Sequence, residues 1–123
     1  NRTQQTLLAL RDFLRTRGIP LLIVLIPHPL QLDHALQNEY LASVGASAEQ
    51  YDFQKPQRLL LAWCKENEVR VIDLLPVFES AVNPAALYFQ NDIHWTATGH
   101  QLAAAAISPF LQVNLPIQRG SQN

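Results

Sequence analysis

At 123 residues, 48% of them hydrophobic and 15% charged, the chain has the length of one domain and enough apolar material for a packed core, which excludes a disordered polymer. A formal net charge of −1 gives no electrostatic footprint for nucleic acid or an anionic membrane. The one cysteine, Cys64, excludes an intrachain disulfide, and its neighbours Leu60, Leu61 and Trp63 read as a buried helix position that holds an inert thiol.

Asn1 opens a polar stretch rather than a secretory leader. The longest apolar run, Ile19 to Pro27, is far shorter than the ~20 residues a membrane span needs. No methionine occurs, so the chain is expected to be a processed product or a part of a longer polypeptide.

In chain order, Thr3 to Arg17 reads as a helix, because Leu7, Leu10 and Leu14 recur near helical spacing. Gly18 is its expected stop. Leu21 to Ile26 is short, partly β-branched and apolar on both faces, the pattern of a strand buried between helix layers. Pro27, His28 and Pro29 then start a loop. A helix is expected over Leu30 to Tyr40, mostly loop over Ser43 to Lys55, and a second helix from Pro56 to Asn67, with Leu59, Leu60, Trp63 and Cys64 on one side. Val69 to Leu74 is the second strand. Val77 to Ala86 reads as a connection with a short helical turn. The last helix is expected over Ala97 to Ile107, capped by Thr96 and interrupted at Ser108-Pro109, with a core stripe of Leu102, Ala103, Ala106, Ile107 and Phe110. Alternating helices and strands predict an α/β fold with a mainly parallel sheet. Two strands are few for such a sheet, so an incomplete domain is expected. Residues 1–113 are assigned to it and 114–123 to a flexible tail.

The chemistry concentrates in Leu87-Tyr88-Phe89-Gln90-Asn91-Asp92-Ile93-His94-Trp95-Thr96-Ala97-Thr98-Gly99-His100. Asp92 and His94 are two residues apart, so locally extended backbone points both side chains the same way. A carboxylate there accepts a hydrogen bond from the imidazole Nδ1–H and leaves Nε2 free to take a proton from a hydroxyl nucleophile. That is the acid and base half of a Ser–His–Asp triad. Trp95 is a candidate wall between the imidazole and bulk water, and Gly99 a position of close backbone approach. The competing reading is structural: a capping Asp and a packing His. His100 reads as a half-buried packing residue, His28 and His34 as loop residues with His28 a candidate for the cleft wall, and Asp73 as a turn or cap. No metal is expected, since His94 and His100 lack the spacing that puts two ligands on one helix face. No cofactor is expected either.

Asp92-x-His94-Trp95, followed by Thr96-x-x-Gly99-His100 and an alanine-rich helix, resembles the last motif block of the SGNH/GDSL hydrolase superfamily, and most the branch of alginate O-acetyltransferase-like proteins. The resemblance implies a three-layer α/β/α fold, of which this chain is the C-terminal part, and acyl transfer through an acyl-serine, with Asp92 as the triad acid and His94 as the general base. It implies an ester hydrolase or O-acyltransferase acting on a small-molecule or carbohydrate ester, located in the cell envelope or outside the cell. Ser43, Ser47, Ser80, Ser108 and Ser121 do not sit in a Gly-Asp-Ser-type block, and no Gly-x-Asn pattern supplies an oxyanion donor. The nucleophile is therefore expected upstream of Asn1 in a longer parent, this chain alone is expected to be inactive, and the alternative is an SGNH-like binding or interaction module without chemistry. The substrate and the oligomeric state stay open at this stage.

Overall fold

The computed structural model describes residues 2–90 and 92–114. Helix α1 spans Arg2–Arg15 and ends where Gly18 adopts φ +67°, letting the Gly18 and Ile19 amides donate back to Arg15 O and Leu14 O. Strand β1 is Leu22–Leu25. It leads through a 3₁₀ turn at Pro29–Gln31 into α2, His34–Val44. Helix α3 is Lys55–Glu66, strand β2 is Arg70–Asp73, and α4 is the short Leu75–Glu79. A 3₁₀ turn at Pro84–Leu87 precedes α5, Ala97–Asn114.

The two strands pair in parallel, from Leu22 opposite Arg70 to Leu25 opposite Asp73. Parallel neighbours need a long crossover, and here α2 and α3 form it. Side chains alternate across the ladder. Ile23 and Val71 pack on the cluster of Trp63, Cys64 and Val69, with Leu7 and Leu8 of α1 beside them. Val24 and Ile72 pack on Leu74, Phe78, Leu87, Tyr88 and Ala103. Helices α1 and α3 thus cover one face of the sheet, and α4 and α5 the other. This is a three-layer α/β arrangement built on a two-stranded parallel sheet among the described residues, consistent with an incomplete α/β domain. Cys64 is fully buried, and burial pushes its thiol pKa up, away from reactivity.

Several boundaries differ from the sequence expectation, α2 among them, which runs on to Val44 rather than ending at Tyr40. Helix α2 starts at His34 rather than Leu30, because Asp33 Oδ1 accepts the Ala35 and Leu36 amides (2.9 and 3.2 Å) and sets the N-cap there. Leu75–Glu79 is already helical, two residues before the expected connection. Helix α5 does not stop at Ser108-Pro109 but runs to Asn114. Pro109 and Ala105, the residue whose carbonyl its missing N–H leaves unpaired, are both exposed, while Ala106 and Ile107 keep the helix on the core. Residues 115–123 of the expected tail lie outside the described residues. No described helix is long and apolar enough to cross a membrane.

Candidate functional site

Residues Tyr88 to Trp95 form a tight hairpin between the 3₁₀ turn at Pro84–Leu87 and α5. Tyr88 and Trp95 pair antiparallel, the Phe89 amide donates to His94 O (3.0 Å), and the Asp92 amide donates to Phe89 O (3.1 Å). Thr96 closes the base: its amide donates to Leu87 O (2.9 Å) and its hydroxyl to Ala86 O (2.9 Å). Beneath the hairpin, the Phe78 ring lies 6.1 Å from that of Tyr88 and 5.4 Å from that of Trp95.

Two features fix the hairpin to the scaffold. The buried Tyr88 hydroxyl donates to the Pro27 carbonyl, just beyond the C-terminal end of β1. Gly99 lets α5 approach the hairpin, since a Cβ there would lie 2.4 Å from Leu87 O and 3.1 Å from Trp95 Cβ. Because the nearer atom is backbone, it has no rotamer by which to move aside. Gly99→Ala is expected to destabilise the protein by about 1–3 kcal/mol, as overpacking does, read as a lower urea midpoint with an unchanged slope. An unchanged midpoint would mean that the helix does not seat this closely.

The hairpin brings Asp92 and His94 together. His94 Nδ1 lies 2.5 Å from Asp92 Oδ1, and the His94 backbone amide donates to the same oxygen at 3.1 Å. An ionised carboxylate only accepts, so Nδ1 carries the proton and Nε2 of the neutral ring presents its lone pair. Among the described residues Nε2 has no hydrogen-bond partner. The Asp92 carboxyl is held below the usual carboxylate range, first by the His94 side chain and then by the His94 amide. A depressed folded pKa contributes stability above the ordinary carboxyl pKa of ~3.9, and that stability is lost as pH falls through the lower folded value. A carbon-detected NMR titration is expected to place the Asp92 midpoint below ~3.9, and His94→Ala is expected to move it back towards that value. A midpoint that does not respond to His94→Ala would mean that the contact is not made in solution.

The pair is open to solvent: the side chains are 78% (His94) and 46% (Asp92) exposed. Trp95 therefore does not wall the imidazole from water. Its ring turns inward onto Phe78, and His100 lies edge-on to it at 5.3 Å but is exposed rather than half-buried as expected. Asp73 is a cap, its Oδ1 accepting the Leu75 amide (3.0 Å) and Gln57 Nε2 (2.5 Å). His34 starts α2 and contacts Gln37. The described residues contain no group of three or more His, Cys, Asp or Glu side chains placed to hold a metal ion.

Beside Asp92 runs an open groove of about 920 Å³ between the hairpin and α2. Phe89 and Ile93 line one wall, Asp33, Glu39 and Tyr40 the other, and His28 reaches it from the C-terminal end of β1, where open α/β sheets bind ligands. His28 also caps its own turn, its Nδ1 accepting the Leu30 amide. The Tyr88 tether and the α2 wall went unread in the sequence. Tyr88 gives no local signal, because its partner is 61 residues away. The Asp33 cap, by contrast, was a readable signal.

Compared with protein families, the whole chain, residues 1–123, matches the model described as the SGNH hydrolase-like domain of the acetyltransferase AlgX. The chain belongs to this family. No curated protein and no solved structure gives a match. The AlgX-type SGNH family is one of acyl transfer and ester hydrolysis, which agrees with the helix layers on both faces of a parallel sheet and with the branch the Asp92-x-His94-Trp95 block resembles. No described serine is hydrogen-bonded to His94 in this AlgX-like domain. Ser43 Oγ donates to Tyr40 O and Ser80 Oγ to Val77 O, while Ser121 lies outside the described residues.

Proposed function

We propose that the protein is an ester hydrolase or O-acyltransferase acting through a Ser–His–Asp triad, for which this chain supplies His94 as the general base and Asp92 as its orienting acid. The observation that carries this is the 2.5 Å Nδ1–Oδ1 contact between His94 and Asp92, with Asp92 itself lining the groove. In the first half-reaction His94 Nε2 takes the proton of a serine hydroxyl as its oxygen attacks the ester carbonyl, and the imidazolium that forms is held by Asp92. The proton then passes to the departing alkoxide, leaving an acyl-serine. Water or an acceptor hydroxyl releases the acyl group by the same steps in reverse order. The substrate is a small-molecule or carbohydrate ester, and the serine and oxyanion donors come from outside the described residues.

A second reading, an SGNH-like binding module without chemistry, draws on the lack of a described serine at His94. A fluorophosphonate probe separates the two. The native protein that contains this chain is expected to gain one covalent adduct by intact mass, and its His94→Ala variant none at matched time. A native protein that takes up no adduct and turns over no aryl acetate is a binding module.

A further inference from the structure

We infer that Tyr88 is a positioning residue for acyl transfer: the bond from its hydroxyl to the Pro27 carbonyl sets where His94 stands above the strand ends, while Asp92 sets which ring nitrogen carries the proton. The inference rests on the acyl-transfer reading of that pair. His94 is 78% exposed, and the hydrogen bond described for its ring goes to Asp92 in the same loop. Its place in space is therefore inherited from the hairpin backbone. That backbone closes on itself, through Tyr88 with Trp95 and Phe89 with His94, and Thr96 bonds back only as far as Leu87 and Ala86. Among the described residues, the hydrogen bond that joins the hairpin to the polypeptide leaving β1 is that of Tyr88, across 61 residues of sequence.

Apolar contact with Phe78 holds the hairpin down, but such contact is non-directional and permits sliding. A hydrogen bond has a preferred length and angle and resists it. Tyr88 is buried and Pro27 fully so. Burial pushes the phenol pKa up, and the Trp95 side chain draws it partly back down. The proton thus stays on the phenol oxygen at neutral pH and is donated to Pro27. Trp95 follows His94 in the chain and faces Tyr88 across the hairpin, so the residue next to the base is coupled to the end of β1 through one hydroxyl. Without that hydroxyl the Pro27 carbonyl is left unpaired where it is buried, which is costly unless the hairpin shifts to admit water. The pair then keeps its own contact but changes place. Open α/β sheets bind ligands beyond the C-terminal strand ends, so a base that moves relative to those ends loses alignment with the bond it serves.

The test is Tyr88→Phe, made in the protein as it occurs with its full chain. The variant keeps the ring that packs on Phe78 and removes only the hydroxyl. Val69→Ala, in the cluster on the other face of the sheet, is the control. Rates with an aryl acetate are taken at a temperature where circular dichroism shows each variant fully folded. Tyr88→Phe is expected to lower kcat about 10- to 100-fold, the effect of a displacement of up to ~1 Å, with KM within about twofold of native, and Val69→Ala to leave both within about twofold. The Asp92 midpoint by NMR is expected to stay at its native value in Tyr88→Phe, because the contact with His94 is made inside the hairpin. Native kcat in Tyr88→Phe overturns the inference. So does an equal loss in Val69→Ala, the mark of a general softening of the fold. A loss carried by KM, or an Asp92 midpoint that climbs towards ~3.9, overturns it as well, since Tyr88 would then shape the groove or make the contact itself. A native protein that takes up no fluorophosphonate and turns over no aryl acetate removes the acyl-transfer reading and this inference with it. Native activity that survives Tyr88→Phe unchanged removes this inference alone.

Discussion

His94→Ala is expected to lower acyl-transfer turnover by about 10³–10⁴-fold, the range in which a general base and its triad act, while the far-ultraviolet circular dichroism stays as in the native protein and the urea midpoint falls only by the small contribution of the exposed Asp92–His94 contact. The retained fold follows from exposure: the side chain is 78% exposed, so its removal opens no cavity. Asp92→Asn is expected to lose about 10²–10⁴-fold in kcat with little change in KM. An amide at that position turns its NH₂ towards Nδ1, favours the tautomer protonated on Nε2, and deprives the serine of its proton acceptor. Initial rates with an aryl acetate, on the protein as it occurs with its full chain, check both variants. Turnover within about threefold of native in His94→Ala would remove His94 from the mechanism, since the effect of a general base is never that small.

The largest loss of stability is expected from Phe78→Ala, at about 3–5 kcal/mol. Phe78 is fully buried and belongs to the cluster shared by α4, the hairpin and α5. Its ring touches Tyr88 at one base of the hairpin and Trp95 at the other, so truncation leaves a hole beneath the segment that aims Asp92 and His94. A domain of this length has about 5–15 kcal/mol to lose, and the expected fall in Tm is on the order of 10–20 °C. Acyl transfer is expected to fail on warming well before the native protein does, although Phe78 has no part in the chemistry. Phe78→Leu keeps most of the apolar volume and is expected to recover more than half of the loss. Urea midpoints of the two variants decide the matter. An unchanged midpoint in Phe78→Ala would mean that the hairpin is held by its backbone bonds and the Tyr88 tether alone.

What the sequence made readable follows the range of the interactions. The strands were legible because Leu21 to Ile26 is a continuous apolar run closed by Pro27 and Val69 to Leu74 is a short β-branched segment followed by Pro76, and each is trimmed by one residue at either end in the structure. The core stripe of α5 was legible for the same reason, and Ala103 is indeed almost fully buried. The Asp92–His94 contact depends on two neighbouring side chains, so spacing alone pointed to it. Trp95 was misread because an aromatic residue beside a histidine gives no clue to its direction. Phe78, distant in sequence, draws the ring inward. The end of α5 is not legible in the sequence, because Pro109 reads as a helix breaker unless its side of the helix is known to be exposed. The groove was illegible as a shape, since α2 and the hairpin are distant in sequence and meet only once the crossover packs.

The hairpin that carries the acid and the base is closed by its own backbone bonds within a few residues on either side of the pair. A unit of that kind is portable. It asks of its host a helix with a glycine in its first turn, a carbonyl within reach of one tyrosine and an apolar ring beneath, as Gly99, Pro27 and Phe78 provide here. On the proposed catalytic reading, the nucleophile can then come from any element that reaches His94 Nε2, because the Asp92–His94 contact is set within the hairpin itself.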